Sequence, residues 1–118
     1  FEMFQKERVD GLLISQDAEN FSNRDLLVKL AEQTFIPAIY PDRIFVESGG
    51  LVSYGFDLPG IYRRAAGFMD KILKGSNPGE LPMEQPTLFE FVVDAKAVRA
   101  IGLEVTPGLR LLADVILD

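Results

Sequence analysis

Residues 49–75, GGLVSYGFDLPGIYRRAAGFMDKILKG, limit the possible folds of this chain more than any other stretch. A glycine pair leads into a short apolar strand, then a loop carrying Ser53, Tyr54 and Asp57, and then a long amphipathic helix. Within that helix Ile61, Ala65, Phe68, Met69 and Ile72 recur with a period of about 3.6 residues, so one face is apolar and requires a partner layer. Arg63, Arg64, Asp70, Lys71 and Lys74 lie mostly on the opposite side, with Asp70 and Lys74 spaced as an i,i+4 ion pair. Asp57 is expected to cap the helix, Pro59 fits its first turn, and Gly75 fits a left-handed stop.

The flanking segments extend the same grammar. Residues 9–15, VDGLLIS, are a nearly continuous apolar run, expected as a central parallel strand covered on both faces. A helix is predicted from Ser22, with Asp25 completing an acidic capping box and Leu26, Leu27, Leu30 and Ala31 facing inward. Residues 36–40, IPAIY, read as the second strand, and strand, helix, strand implies a right-handed parallel crossover. Asp42 caps a single turn that Gly49 and Gly50 close before the third strand, LVSY. The segment GSNPGELPMEQPT, broken by Pro78, Pro82 and Pro86, is a connector long enough to travel between parts of the molecule. Residues 88–93, LFEFVV, form the fourth strand. Asp94 caps a short helix stopped by Gly102, and Thr106 with Pro107 opens a last helix whose face includes Leu109, Leu112, Ala113 and Ile116. The expectation is an α/β fold built on a parallel, Rossmann-like sheet.

Composition removes whole classes of chemistry. The net charge is -6 and no run of Lys or Arg occurs, which argues against a nucleic-acid surface. With neither cysteine nor histidine, the chain cannot build Ser-His-Asp or Cys-His catalysis, a disulfide, or a His/Cys metal site. No phosphate loop or dinucleotide fingerprint is present, so no cofactor is expected. No apolar run approaches the roughly 20 residues of a membrane helix. Asp42 with Glu47 could bind a hard cation, although solvated surface is the plainer reading.

In an open parallel sheet, ligands bind beyond the carboxyl ends of the strands. Those ends deliver Ser15 and Asp17 from the first strand, Tyr40 and Asp42 from the second, and Ser53, Tyr54 and Asp57 from the third. Carboxylates for an ammonium group, hydroxyls for a carboxylate and aromatic surface for a side chain would suit a small zwitterion. Each residue also has a purely local use, as a turn cap, a strand end or an N-cap.

The segments VDGLLISQD, IPAIYPDRIFVESGGLVSYGFD and YRRAAGFMDKILKGSNPGELPMEQPTLFEFVVDAKAVRAIGLEVTPGL resemble substrate-binding proteins of ABC transporters with the type I periplasmic-binding-protein fold, in the branch associated with tryptophan- and tyrosine-like ligands. The resemblance covers nearly the whole chain and implies a C-terminal fragment of a longer protein, consistent with a start, FEMFQKERVDG, that reads as the end of a helix. It implies two α/β lobes closing on a ligand across a hinge crossed three times. Residues 1–50 would belong to the second lobe, 51–80 to the first lobe with the long helix, and 81–118 to the second lobe again, with C-terminal helices. Ser15, Asp17, Tyr40, Ser53, Tyr54 and Asp57 would then be the ligand-binding set, although Ala18 stands where relatives often carry Asn.

The implied function is a non-catalytic, extracytoplasmic solute-binding component of an importer, periplasmic or extracellular, with a lipid anchor as one form of retention. It would capture an amino-acid-like solute and deliver it to ABC permease subunits. Two alternatives are the extracytoplasmic sensor domain of a receptor kinase and a small flavodoxin-like enzyme. Deprived of its first lobe, the apolar helix face is expected to drive self-association.

Overall fold

The structure is a computed structural model describing residues 1–118. Its elements in chain order are α1 (Glu2–Lys6), β1 (Leu12–Leu13), α2 (Ala18–Ser22), α3 (Arg24–Thr34), β2 (Ala38–Tyr40), α4 (Arg43–Glu47), β3 (Val52–Phe56), α5 (Leu58–Leu73), β4 (Phe89–Asp94), α6 (Ala95–Ala100), α7 (Pro107–Leu112) and β5 (Val115–Leu117). The five strands form one sheet in the order β1-β2-β3-β4-β5. β1, β2 and β3 are parallel, with Leu12 opposite Ala38 and Tyr40 opposite Ser53; β4 and β5 are parallel to each other. Asp94 N–H donates to the Leu51 carbonyl and Asp57 N–H to the Leu88 carbonyl, a pattern that runs β4 antiparallel to β3.

The chain divides into two compact units, residues 1–55 with 90–118, and residues 56–89. The first holds the main core, where Val28 and Ala31 of α3 pack with Ala38, Tyr40 and Phe45. Tyr40 stacks on Phe45 with centroids 5.2 Å apart, and Phe21 meets Phe45 edge-on at 6.4 Å. Val92 and Val93 of β4 are completely buried. In the second unit, Asp57 Oδ1 accepts from Gly60 N–H at 3.2 Å at the start of α5, and Lys74 pairs with Asp70 at 2.8 Å, both as expected. Arg64 lies 3.6 Å from Glu84, the rings of Phe56 and Phe89 are 4.7 Å apart, and no residue of α5 is fully buried. The connector after it contains one 3-10 turn, Pro78–Glu80.

Several helix stops follow one device. After α4, Gly49 sits at φ 101° while its N–H donates to Val46 and that of Gly50 donates to Phe45, a paired closure that satisfies two terminal carbonyls. Gly75 and Gly102, also at positive φ, close α5 and α6 in the same way. Phe35 does the same after α3 at φ 54°, where a side chain is strained. It is 66% exposed, so little packing opposes its removal. Phe35→Gly is therefore expected to raise stability by about 0.5–1 kcal/mol, read as a higher urea midpoint at unchanged slope.

Three expectations are corrected. The apolar run at 9–15 yields only a two-residue strand at the sheet edge, with Leu13 82% exposed, rather than a central one. The helix does not start at Ser22. Asp17 Oδ1 caps α2 through Asn20 N–H at 2.8 Å, and the Ser22 hydroxyl donates back to the Ala18 carbonyl, so it is spent inside α2. Ile116 lies in β5 rather than in a last helix. The Asp114 carboxylate accepts the Phe91 N–H at 2.8 Å while its own N–H donates to the Phe91 carbonyl, which turns the chain onto β4.

Candidate functional site at the strand tips

The exit of β1 builds a compact polar network. The Ser15 hydroxyl donates to Asp17 Oδ2 at 2.9 Å, and Asn20 Nδ2 donates to the same oxygen at 2.8 Å and to the Ser15 carbonyl at 3.0 Å. The backbone N–H of Asn20, followed by the Ser15 hydroxyl, holds the Asp17 carboxyl below its ordinary pKa. Asp17 is thus a fixed, ionised and exposed acceptor, oriented before any cation arrives. Ser15 and Asp17 came from strand-end reasoning. Asn20 was missed, and its signal is an amide side chain three residues beyond a capping Asp.

At the exit of β2, Asp42 is turned inward and accepts from Ile44 N–H at 2.9 Å as the cap of α4. Its neighbour Arg43 donates through Nε to Glu47 at 2.7 Å and through Nη1 to Glu90 at 3.1 Å, tying α4 to β4. Neither Arg43 nor Glu90 was singled out from sequence. Glu47 is a partner of Arg43, and no cluster of three or more acidic side chains is arranged to hold a metal ion.

Tyr40 is 2% exposed and its ring belongs to the core against Phe45. Burial pushes its phenol up to about 12. Because the folded state keeps the proton where the unfolded chain releases it, stability should fall as pH rises from about 10 towards 12. Near-ultraviolet phenolate absorbance checks this: one tyrosine should ionise only at the upper end of that range, together with unfolding. Ser53, opposite Tyr40 in the sheet, is 1% exposed and its Oγ has no hydrogen-bond partner. Tyr54 points the other way, 54% exposed, with Phe91 edge-on at 6.3 Å. Asp57 caps α5 in the second unit. The structure therefore gathers Ser15 and Asp17 into one cluster with Asn20, buries Tyr40 and Ser53 side by side, and leaves Tyr54 on the surface.

Over residues 3–115 the chain matches the family described as ABC transporter substrate binding protein. Among solved structures it is similar to a conserved domain protein from Vibrio cholerae O1 biovar El Tor, with TM-score 0.84 and 24% identity, covering 93% of this chain and 37% of that one. It is similar also to an ABC domain in complex with L-Trp from Streptococcus pneumoniae, with TM-score 0.84 and 19% identity over 96% of this chain and 38% of that one. A third is the ligand-free, open structure of CD0873, a substrate-binding protein with adhesive properties from Clostridium difficile, with TM-score 0.63 and 21% identity over 99% of this chain and 41% of that one. At these identities the likeness is one of fold, and the chain spans well under half the length of each. No curated protein matches it.

Proposed function

Because this chain belongs to the ABC transporter substrate-binding protein family, we propose that it is part of a non-catalytic solute receptor for an ABC importer, one that captures an amino-acid-like solute outside the cytoplasmic membrane and passes it to the permease. Residues 1–55 and 90–118 would form part of one lobe of that receptor, and residues 56–89 a segment of the other. The observation that carries the reading is the network of Ser15, Asp17 and Asn20 at the tip of β1, an ionised carboxylate held in place by three donors. Such a group receives a ligand ammonium without reorganising. The exposed ring of Tyr54 offers aromatic surface, and the L-Trp bound by the pneumococcal relative supports an aromatic amino acid as the solute. The absence of histidine and cysteine leaves few groups able to act as nucleophile or base near neutral pH, in keeping with holding rather than transforming the guest.

The test uses the protein at its natural length. Native mass spectrometry after purification without denaturation should show an added mass in the amino-acid range. Thermal-shift screening with L-tryptophan, L-tyrosine and aliphatic amino acids should find one that stabilises by about 2.7 kcal/mol when present at a hundredfold excess over its dissociation constant. Asp17→Asn should weaken that binding by about tenfold. A protein that retains nothing and is stabilised by no solute in the panel, or that turns one over, would contradict the proposal.

A further inference from the structure

A second concavity lies in the first unit, away from the strand tips. Gly49, Gly50 and Leu51, which lead into β3, Asp94 at the end of β4 and Ile36 ahead of β2 all border it, placing it at the opposite end of the strands from Ser15 and Asp42. Its volume is about 260 Å³. That far exceeds the roughly 10–15 Å³ that admits a single water. Val28, Ala38, Leu51 and Ala97 contribute an apolar portion to the wall between α3 and α6. The wall is also closely built at Gly50, where a Cβ would come within 2.7 Å of the Phe45 carbonyl oxygen and 2.8 Å of the Tyr40 ring.

Three charged side chains border this space, and one of them, Asp94, is spent at the start of α6, where its Oδ1 accepts the N–H groups of Lys96 and Ala97. Glu32 comes from α3 and Lys96 from α6. Both are exposed and neither is in an ion pair, so both charges are free to meet a guest. A purely apolar guest would leave both charges unused, and a guest of single charge would meet one attractive and one repulsive group. From this complementarity we infer that the cavity between α3 and α6 is a binding site for a small zwitterion with an apolar tail, of amino-acid size, its ammonium towards Glu32, its carboxylate towards Lys96 and its tail in the cavity. The site is separate from the tip network and goes beyond the proposed transport function, because it requires nothing of Ser15, Asp17 or Asn20. Tyr40 borders the cavity and ends β2, two residues before Asp42, so occupancy would bear on the residues that order the β2 tip.

The experiment is a titration of the protein at its natural length with L-leucine, followed by amide chemical shifts in nitrogen-edited NMR. Expected are saturable shifts at Ala31, Glu32, Gly49, Gly50, Lys96 and Ala97, with a dissociation constant on the order of 1 mM. Isocaproate, which lacks the ammonium, and isoamylamine, which lacks the carboxylate, should each bind about threefold to fivefold more weakly, as should L-leucine to Glu32→Ala and to Lys96→Ala. Both substituted side chains are exposed, and unchanged shifts elsewhere would verify the fold. Ala97→Phe, which fills the cavity, should abolish the effect. The inference falls if no saturable shift arises, if the two charge deletions leave the affinity unchanged, or if the shifts are confined to residues 15–20. In that last case the tip site stands and this one does not.

Discussion

Gly55→Ala is expected to destabilise the chain by about 3 kcal/mol or more, the largest effect of any single methyl group added to it. Gly55 lies in β3 beside the end of β2, and a Cβ at this position would stand 1.8 Å from the Pro41 carbonyl oxygen and 2.9 Å from its carbonyl carbon. Both atoms are backbone, so no rotamer change relieves the overlap. The strands must part, and with them the approach of β3 to the turn that carries Asp42 and Arg43. Gly67 is the internal control. It lies in α5 with nothing within 4 Å of the added carbon, and Gly67→Ala should stabilise by about 0.5–1 kcal/mol through helix propensity alone. Opposite signs for one chemical change, read from urea unfolding of the two variants, would establish that contact at position 55 decides the outcome. A Gly55→Ala variant within about 0.5 kcal/mol of the parent would show that β2 and β3 are not so closely apposed.

Phe45→Ala should cost about 3–5 kcal/mol. Phe45 is 1% exposed, stacked on Tyr40 and met edge-on by Phe21, so its removal leaves a cavity between α2, α4 and β2 and strips the buried tyrosine of its partner. Since Tyr40 and the α4 cap Asp42 are two residues apart, loss of the ring should also loosen the tip of β2. Near-ultraviolet circular dichroism should lose tyrosine signal at temperatures where the parent is folded. Tyr54→Ala is the contrasting case, because that ring is half exposed, and its cost should stay near 1 kcal/mol.

What was legible in the sequence is what depends on neighbours along the chain. The caps Asp42, Asp57, Asp94 and Thr106 each accept a backbone N–H two or three residues ahead, and Gly49, Gly75 and Gly102 each close a helix at positive φ. Such features are set within one turn and need no information from elsewhere. The αL stop at Phe35 carries no glycine to announce it. β5 was hidden because Ile116 continues the helical spacing of Leu109, Leu112 and Ala113, while the strand exists only through pairing with Val92, Val93 and Asp94, more than twenty residues earlier.

The local geometry around the proposed site residues was legible to the same degree. Ser15 and Asp17 follow β1 at a distance that a local network can close, and it does. Tyr40 was placed at a tip by position alone. It does end β2, but strand alternation turns its side chain into the core, since Ala38 and Tyr40 share the buried face and Ile39 lies between them on the other. The same parity buries Ser53 and exposes Tyr54. Arg43 and Glu90 meet across 47 positions, a separation at which one sequence carries no pairing signal.

The most direct measurement is amide hydrogen exchange on the natural-length protein, with and without the solute it retains. If the strand tips hold the guest, protection should rise at residues 15–20 and around Arg43 and Tyr54, and stay unchanged along the exposed face of α5. Protection that changes everywhere except at those tips would contradict the account.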